Sequence, residues 1–186
     1  MEMKTSYWRF AAMIATSTVV MLGLMYLNTY AWEHVYWSET RFYMAFIMGA
    51  AMAVVMLSFM LNMYRNRRVN LGIYAGAAVV FVLALWLVRS QATVEDRSYM
   101  EAMIPHHSIA IMTSERANID DVRVRKLADE IITAQRREIK EMEWLISDIA
   151  ANGPAATESE AATRPVPDFE GQLDPVQPAG SNVGED

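Results

Sequence analysis

At 186 residues without a single cysteine, the chain has no thiol nucleophile, disulfide or thiolate metal site, and its redox compartment is left open. The formal net charge of −6 is local. After residue 151, Glu158, Glu160, Asp168, Glu170, Asp174, Glu185 and Asp186 outnumber Arg164 by six, so the first 151 residues are neutral and offer no basic surface for nucleic acid.

The apolar residues concentrate before residue 90. Phe10 to Leu27, Phe42 to Tyr64 and Leu71 to Val88 carry no charge. Each is close to the length a helix needs to cross a hydrocarbon core of roughly 30 Å. Aromatics stand where the interfaces fall: Tyr7, Trp8, Tyr30, Trp32, Tyr36, Trp37 and Trp86. Three transmembrane helices are expected at about 10–30, 42–64 and 70–88, within a membrane domain of residues 1–89. Three buried helices of a soluble protein are rejected, because too little polar chain remains to wrap them. Lys4 and Arg9 precede the first span and Arg65, Arg67 and Arg68 fill the link between the second and third, which places the amino terminus in the cytoplasm. The expected location is the plasma (inner) membrane, with everything after Val88 in the periplasm or outside the cell. A cleaved signal peptide is the competing reading of the first span, and its long apolar core favours retention.

Asp96 to Ala117 reads as a helix. Asn118-Ile-Asp-Asp121 is a turn whose short acidic side chains can cap the next helix. Val122 to Ala151 is a long amphipathic helix stopped by Asn152-Gly153-Pro154. Residues 90–151 thus form a helical hairpin, and 152–186, rich in Ala, Pro, Gly and acids, are expected to be a disordered acidic tail. The fold class is all-α. Projected at 100° per residue, Asp96, Met100, Met103, His107, Ile111 and Ser114 share one face of the first helix. On the second, Val124, Leu127, Ile131, Glu138, Met142, Leu145 and Ile149 make one stripe with Gln135 at its edge. Two such helices cannot bury both seams, so a homo-oligomer through the hairpin is expected.

Two of the three histidines stand together in Met103-Ile-Pro-His-His107, and on a helix the Met103 thioether reaches either ring from one turn away. Imidazole suits copper, zinc, iron and nickel, whereas thioethers favour Cu(I), so Met100, Met103 and Met142 around His106 and His107 tilt the metal toward copper, with zinc or iron as alternatives. The bland alternative is solvent-facing histidines, core methionines and a Glu138 paired with arginine. With the turn centred near Ile119, Met103 faces Gln135 and Met100 faces Glu138. His107 then lies about 10 Å from the height of Glu138 at 1.5 Å per residue. That register makes Glu138 either a ligand supplied by a second copy or an orienting group.

Met100-x-x-Met103-Ile-Pro-His106-His107, followed by Gln135-x-x-Glu138-Ile139-x-x-Met142, resembles the family of domains of unknown function DUF305 over roughly Asp96 to Leu145. The resemblance implies a ferritin-like helical half bundle, often exported, with some members implicated in copper binding through Met and His. It implies His106, His107, Met103, Gln135, Glu138 and Met142 as shared functional positions. The three spans lie outside it.

Met44, Met48, Met52, Met56 and Met60 recur every four residues on the second span and fan over about 160°. Gly72 and Gly76 permit close helix approach on the third. Three functions remain: membrane-anchored copper sequestration or hand-off, metal transport along the methionine fan, and a non-catalytic dimerisation or assembly module. No nucleophile arrangement or cofactor loop points to an enzyme.

Overall fold

The computed structural model describes residues 2–171. Six α-helices are present among them: α1 (Glu2–Leu24), α2 (Glu39–Phe59), α3 (Arg67–Ser90), α4 (Asp96–Arg116), α5 (Val122–Asn152) and α6 (Glu158–Thr163). A single 3-10 turn, Trp32–His34, lies between α1 and α2. No strand occurs among the described residues. The chain divides into two compact units, one of Met1–Asn28 with Trp37–Ala102, the other of Thr29–Tyr36 with Met103–Asp186.

In the first unit α2 packs against both α1 and α3. Its inward face is a ladder of small residues, Ala45, Gly49, Ala50 and Ala53, closed by Leu57, and it packs with Phe10, Tyr64 and Ala77. Small residues let backbones approach, which is how helices gain dispersion contacts in an apolar surrounding. At Gly49 a Cβ would stand 2.5 Å from the Thr18 hydroxyl oxygen of α1, so only glycine fits without moving that side chain. One end is closed by hydrogen bonds. Tyr7 donates to the buried Asn70 at 2.8 Å, and Asn70 donates to the Tyr64 carbonyl at 2.6 Å. Ser38 caps α2 and Asn66 caps α3 through their side-chain oxygens.

Windows of α1 (Tyr7–Leu24), α2 and α3 are long and apolar enough to cross a membrane. Val19, Val20, Phe59, Leu71, Val79 and Val82 are exposed, as suits contact with acyl chains. The first helix ends at Leu24 and the second at Phe59, each followed by a turn, so these two are several residues shorter at their ends than the apolar runs suggested. The methionines of α2 and its C-cap sit beside the packed face: Met48, Met52, Met56 and the capping Met60 are half-buried and Met44 is exposed. An apolar groove of about 700 Å³, lined by residues of α1, α2 and α3 such as Phe10, Ile14, Gly49 and Gly76, includes none of them.

The second unit is built on α4 from Met103 onward and on α5. Ile104, His107, Ser108 and Ile111 are buried on α4, and Ala128, Ile132, Ile139 and Met142 on α5. The α5 core face is therefore rotated from the stripe expected in sequence, and Val124, Leu127 and Ile131 are exposed. Two adjacent apolar stripes run along α5. Hydropathy favours the one with the larger residues, whereas packing takes the one containing Ala128, which lets the backbones approach. Asp121 caps α5 by accepting from Arg123 N at 2.8 Å, and Gly153 (φ +77°) ends it.

Structure also continues into the stretch expected to be a tail. Thr157 and Glu160 form a reciprocal capping box at the start of α6. Arg164 pairs with Asp148 of α5 at 2.7 Å, Lys140 donates to the Glu170 carbonyl, and Gly171 lies so close to the Thr133 carbonyl that no side chain would fit. The expectation of disorder therefore does not hold over 158–164, where specific caps and an ion pair supply what composition lacks. For residues 172–186 that expectation lies outside the described residues.

Candidate metal centre

α4 runs on through the buried Pro105, which removes one N–H from the helix just before the two histidines. His107 follows on the core face and is buried, while His106 is exposed. Their ring centroids are 6.2 Å apart with planes at 72°. The adjacent histidines of the sequence thus occupy different environments.

The ring of His107 is held at both nitrogens. Nδ1 is 2.9 Å from the Met103 carbonyl oxygen, one turn back on the same helix. A carbonyl only accepts, so Nδ1 carries hydrogen. Nε2 is 2.7 Å from Oε2 of Glu138 on α5. Lone pair cannot face lone pair at that distance, so one proton sits between these two atoms, on the ring or on the carboxyl group. His107 is about 10% exposed at its side chain and Glu138 about 38%, so the contact is sheltered on the histidine side and open on the other. Arg137 lies 4.0 Å from the other Glu138 oxygen, and its stronger partner is Glu141 at 3.4 Å.

This contact corrects the register expected from the sequence, which paired Glu138 with Met100 rather than with His107. α4 ends at Arg116 and α5 begins at Val122. The non-helical residues between them advance by up to about 3.3 Å each, against 1.5 Å in a helix, so the turn is not a symmetric point at Ile119. One chain alone brings Glu138 onto His107.

The same register sets Met103 level with Met142. Each lies one helical turn from the contact, Met103 four residues before His107 and Met142 four after Glu138. Met103 is half-buried and Met142 buried. Gln135 is half-buried one turn before Glu138 and makes no hydrogen bond to the pair among the described residues. Met100 is buried and belongs to the first unit. Among the described residues no three His, Asp or Glu side chains converge as a ligand set.

A second cluster forms around residues that carry no motif in the sequence. Residues 29–36 pack on the hairpin, and their anchor is Ser108, which is fully buried. Its Oγ accepts from the Tyr30 N–H at 2.7 Å and lies 2.9 Å from His34 Nδ1. With the Tyr30 N–H already directed at Oγ, the serine hydroxyl is free to donate to Nδ1. Burial holds the His34 ring below the ordinary histidine range, against the opposing pull of Glu143 and Glu33. The Tyr30 hydroxyl is pushed up chiefly by its hydrogen bond to Glu115, with burial adding to the shift. Glu115 in turn pairs with Arg136 of α5, and Arg116 stands over the Tyr30 ring at 5.9 Å. A cleft of about 280 Å³ opens here, lined by Tyr30, Glu33, His34, Ile111, Arg136 and Glu143 among others.

Fold and site together define a class: a helical hairpin with a shared-proton His–Glu contact and a methionine from each helix one turn to the same side of it, in a chain that also carries three helices able to cross a membrane. Residues 86–166 match the model of the family described as Domain of unknown function (DUF305), so this part of the chain is a DUF305 domain. The match extends the sequence resemblance at both ends and takes in α6 and Arg164. An uncharacterized protein, L153, of Acanthamoeba polyphaga mimivirus is 35% identical over 71 residues, which is 37% of this chain and 47% of that protein. The chain thus spans about half the length of this relative. No solved structure matches it.

Proposed function

We propose that this is a membrane-anchored, non-catalytic protein whose hairpin takes up copper as cargo, with His107 Nε2 and the Glu138 carboxylate as the primary donors. The observation that carries the reading is the pair itself. Tying Nδ1–H to a carbonyl fixes the tautomer and reserves Nε2 for a metal, the usual arrangement of a ligating histidine. Two donors on one tetrahedral ion with bonds of 2.0–2.1 Å stand about 3.3 Å apart, so the observed 2.7 Å would open by roughly half an ångström. Side-chain rotation of the half-exposed Glu138 supplies that easily. Met103 and Met142, one on each helix, are soft donors level with one another, and thioethers favour Cu(I) over zinc. Exposed His106 suits capture or release better than holding.

The three apolar helices anchor the domain in the plasma membrane. Arg65, Arg67 and Arg68 lie on the cytoplasmic side and the hairpin lies outside. Anchoring is favoured over transport because the methionines of α2 border its packed face and are absent from the lining of the apolar groove.

The test is competition for Cu(I) by the detergent-purified full chain against a chromophoric chelator. His107→Ala should lose most of the affinity, Glu138→Gln at least 10- to 100-fold, and His106→Ala less than either. Full affinity in His107→Ala would remove this site from the account.

A further inference from the structure

Val124, Leu127 and Ile131 on α5 are 48%, 55% and 36% exposed, although the helix buries Ala128, Ile132, Ile139 and Met142 on a neighbouring face. With half-buried Ala134 they form a stripe at spacings of three, four and three, nearly three turns long and without a charge. A contiguous apolar stripe outside the core of its own domain is the mark of an interaction surface.

We propose that this stripe binds a second copy of the chain, α5 against α5 and antiparallel. The pattern is its own complement. Reversed about residue 129, Val124 falls level with the partner's Ala134 and Leu127 with the partner's Ile131. The charged flank fits nearly the same reversal: Lys126 and Glu130 are symmetric about residue 128, which leaves each about two residues, roughly 3 Å, from level with its partner and within reach of a long side chain. Lys126 and Glu130 are both well exposed and stand only 4.0 Å apart within one helix. In antiparallel pairing like flanks meet, so Lys126 lies beside the partner's Glu130 and Glu130 beside the partner's Lys126. Flanking charges of this kind set the partner and the orientation of helix pairs. The other flank of the stripe in each copy is the α4 side, so two hairpins together complete a four-helix arrangement. A shallow groove of about 390 Å³ bordered by Lys126, Glu130, Ala134 and Arg137 follows the charged edge. The pairing leaves the Glu138 end of each α5 beyond the shared stripe, so it does not rest on the metal reading.

The experiment uses the full chain in detergent and in nanodiscs, with mass measured by light scattering. The parent chain should be a dimer at tens of micromolar. Leu127→Glu should be monomeric with unchanged helicity. Lys126→Glu and Glu130→Lys should each weaken the dimer about tenfold, and the double exchange should restore it, since two symmetry-related pairs change sign and then change back. Removal of residues 172–186 should leave the dimer unchanged. A monomeric parent, a dimer that survives Leu127→Glu, or single and double charge variants that weaken alike would overturn the proposal. If a polarity-sensitive dye on Leu127→Cys reports lipid in a monomeric chain, the stripe faces the bilayer and the proposal falls.

Discussion

Replacing Ser108 with alanine isolates the anchor of residues 29–36. The substitution removes the acceptor of the Tyr30 N–H and the partner of His34 Nδ1, at 2.7 and 2.9 Å. A typical hydrogen bond contributes about 1 kcal/mol net, and a group left buried and unpaired costs more. Both partners are half-buried and water can reach them once the segment loosens, so the loss should be about 2 kcal/mol. At 1.4 kcal/mol per factor of ten this is roughly a 30-fold rise in the opening of the segment. Alanine is also the better helix former, so α4 itself should not weaken. Amide hydrogen exchange of the full chain reads the effect directly. Tyr30 should lose about 30-fold in protection while the interior of α4 keeps its own. Unchanged exchange at Tyr30, or equal loses along α4, would refute the assignment of Ser108 as a local anchor.

The His34 ring is depressed by burial, so the docked state disfavours its protonation. Docking is therefore fully stable above the ordinary histidine value of about 6.5 and weakens as pH falls below it, which Tyr30 exchange measured at pH 7.5 and 5.5 should show and His34→Asn should abolish. If the hairpin takes up copper as proposed, the ion must displace the proton between His107 and Glu138, so affinity should fall about tenfold per pH unit wherever that proton is present, as titrations at several pH values will reveal. Reporter fusions after Arg68 and after Ala151 should report opposite compartments, and matching compartments would end the topology argument. Gly49→Val should loosen α1 from α2, because a Cβ already meets Thr18 at 2.5 Å. The check is faster proteolysis between Leu24 and Glu39 in detergent.

Much of the fold was legible because it rests on local chemistry. Uncharged runs of membrane length gave α1, α2 and α3, while Asp121 and Gly153 marked the ends of α5. Register and side-chain choice were not legible. Whether Glu138 meets Met100 or His107 depends on how far five non-helical residues advance the chain, and no periodicity encodes that. The choice between Leu127 and Ala128 as core was likewise decided by backbone approach. His34 carried a weak signal as the third histidine, but its partner Ser108 is an ordinary residue in sequence. Thr157-x-x-Glu160 was a readable capping box, obscured by a composition that pointed to disorder.

The second unit is assembled from two stretches of chain separated by α2 and α3. Tyr30 and Ser108 stand 78 positions apart. During synthesis the early stretch emerges with no surface to receive it, and its dock appears only after two further apolar helices and the start of α4 have been made. An order of maturation follows: the helices settle first, and residues 29–36 are clasped last. It also follows that cutting the chain at the end of α3 yields a hairpin with Ser108 stripped of its partners, so the domain can be transplanted to another anchor only if the segment before α2 travels with it.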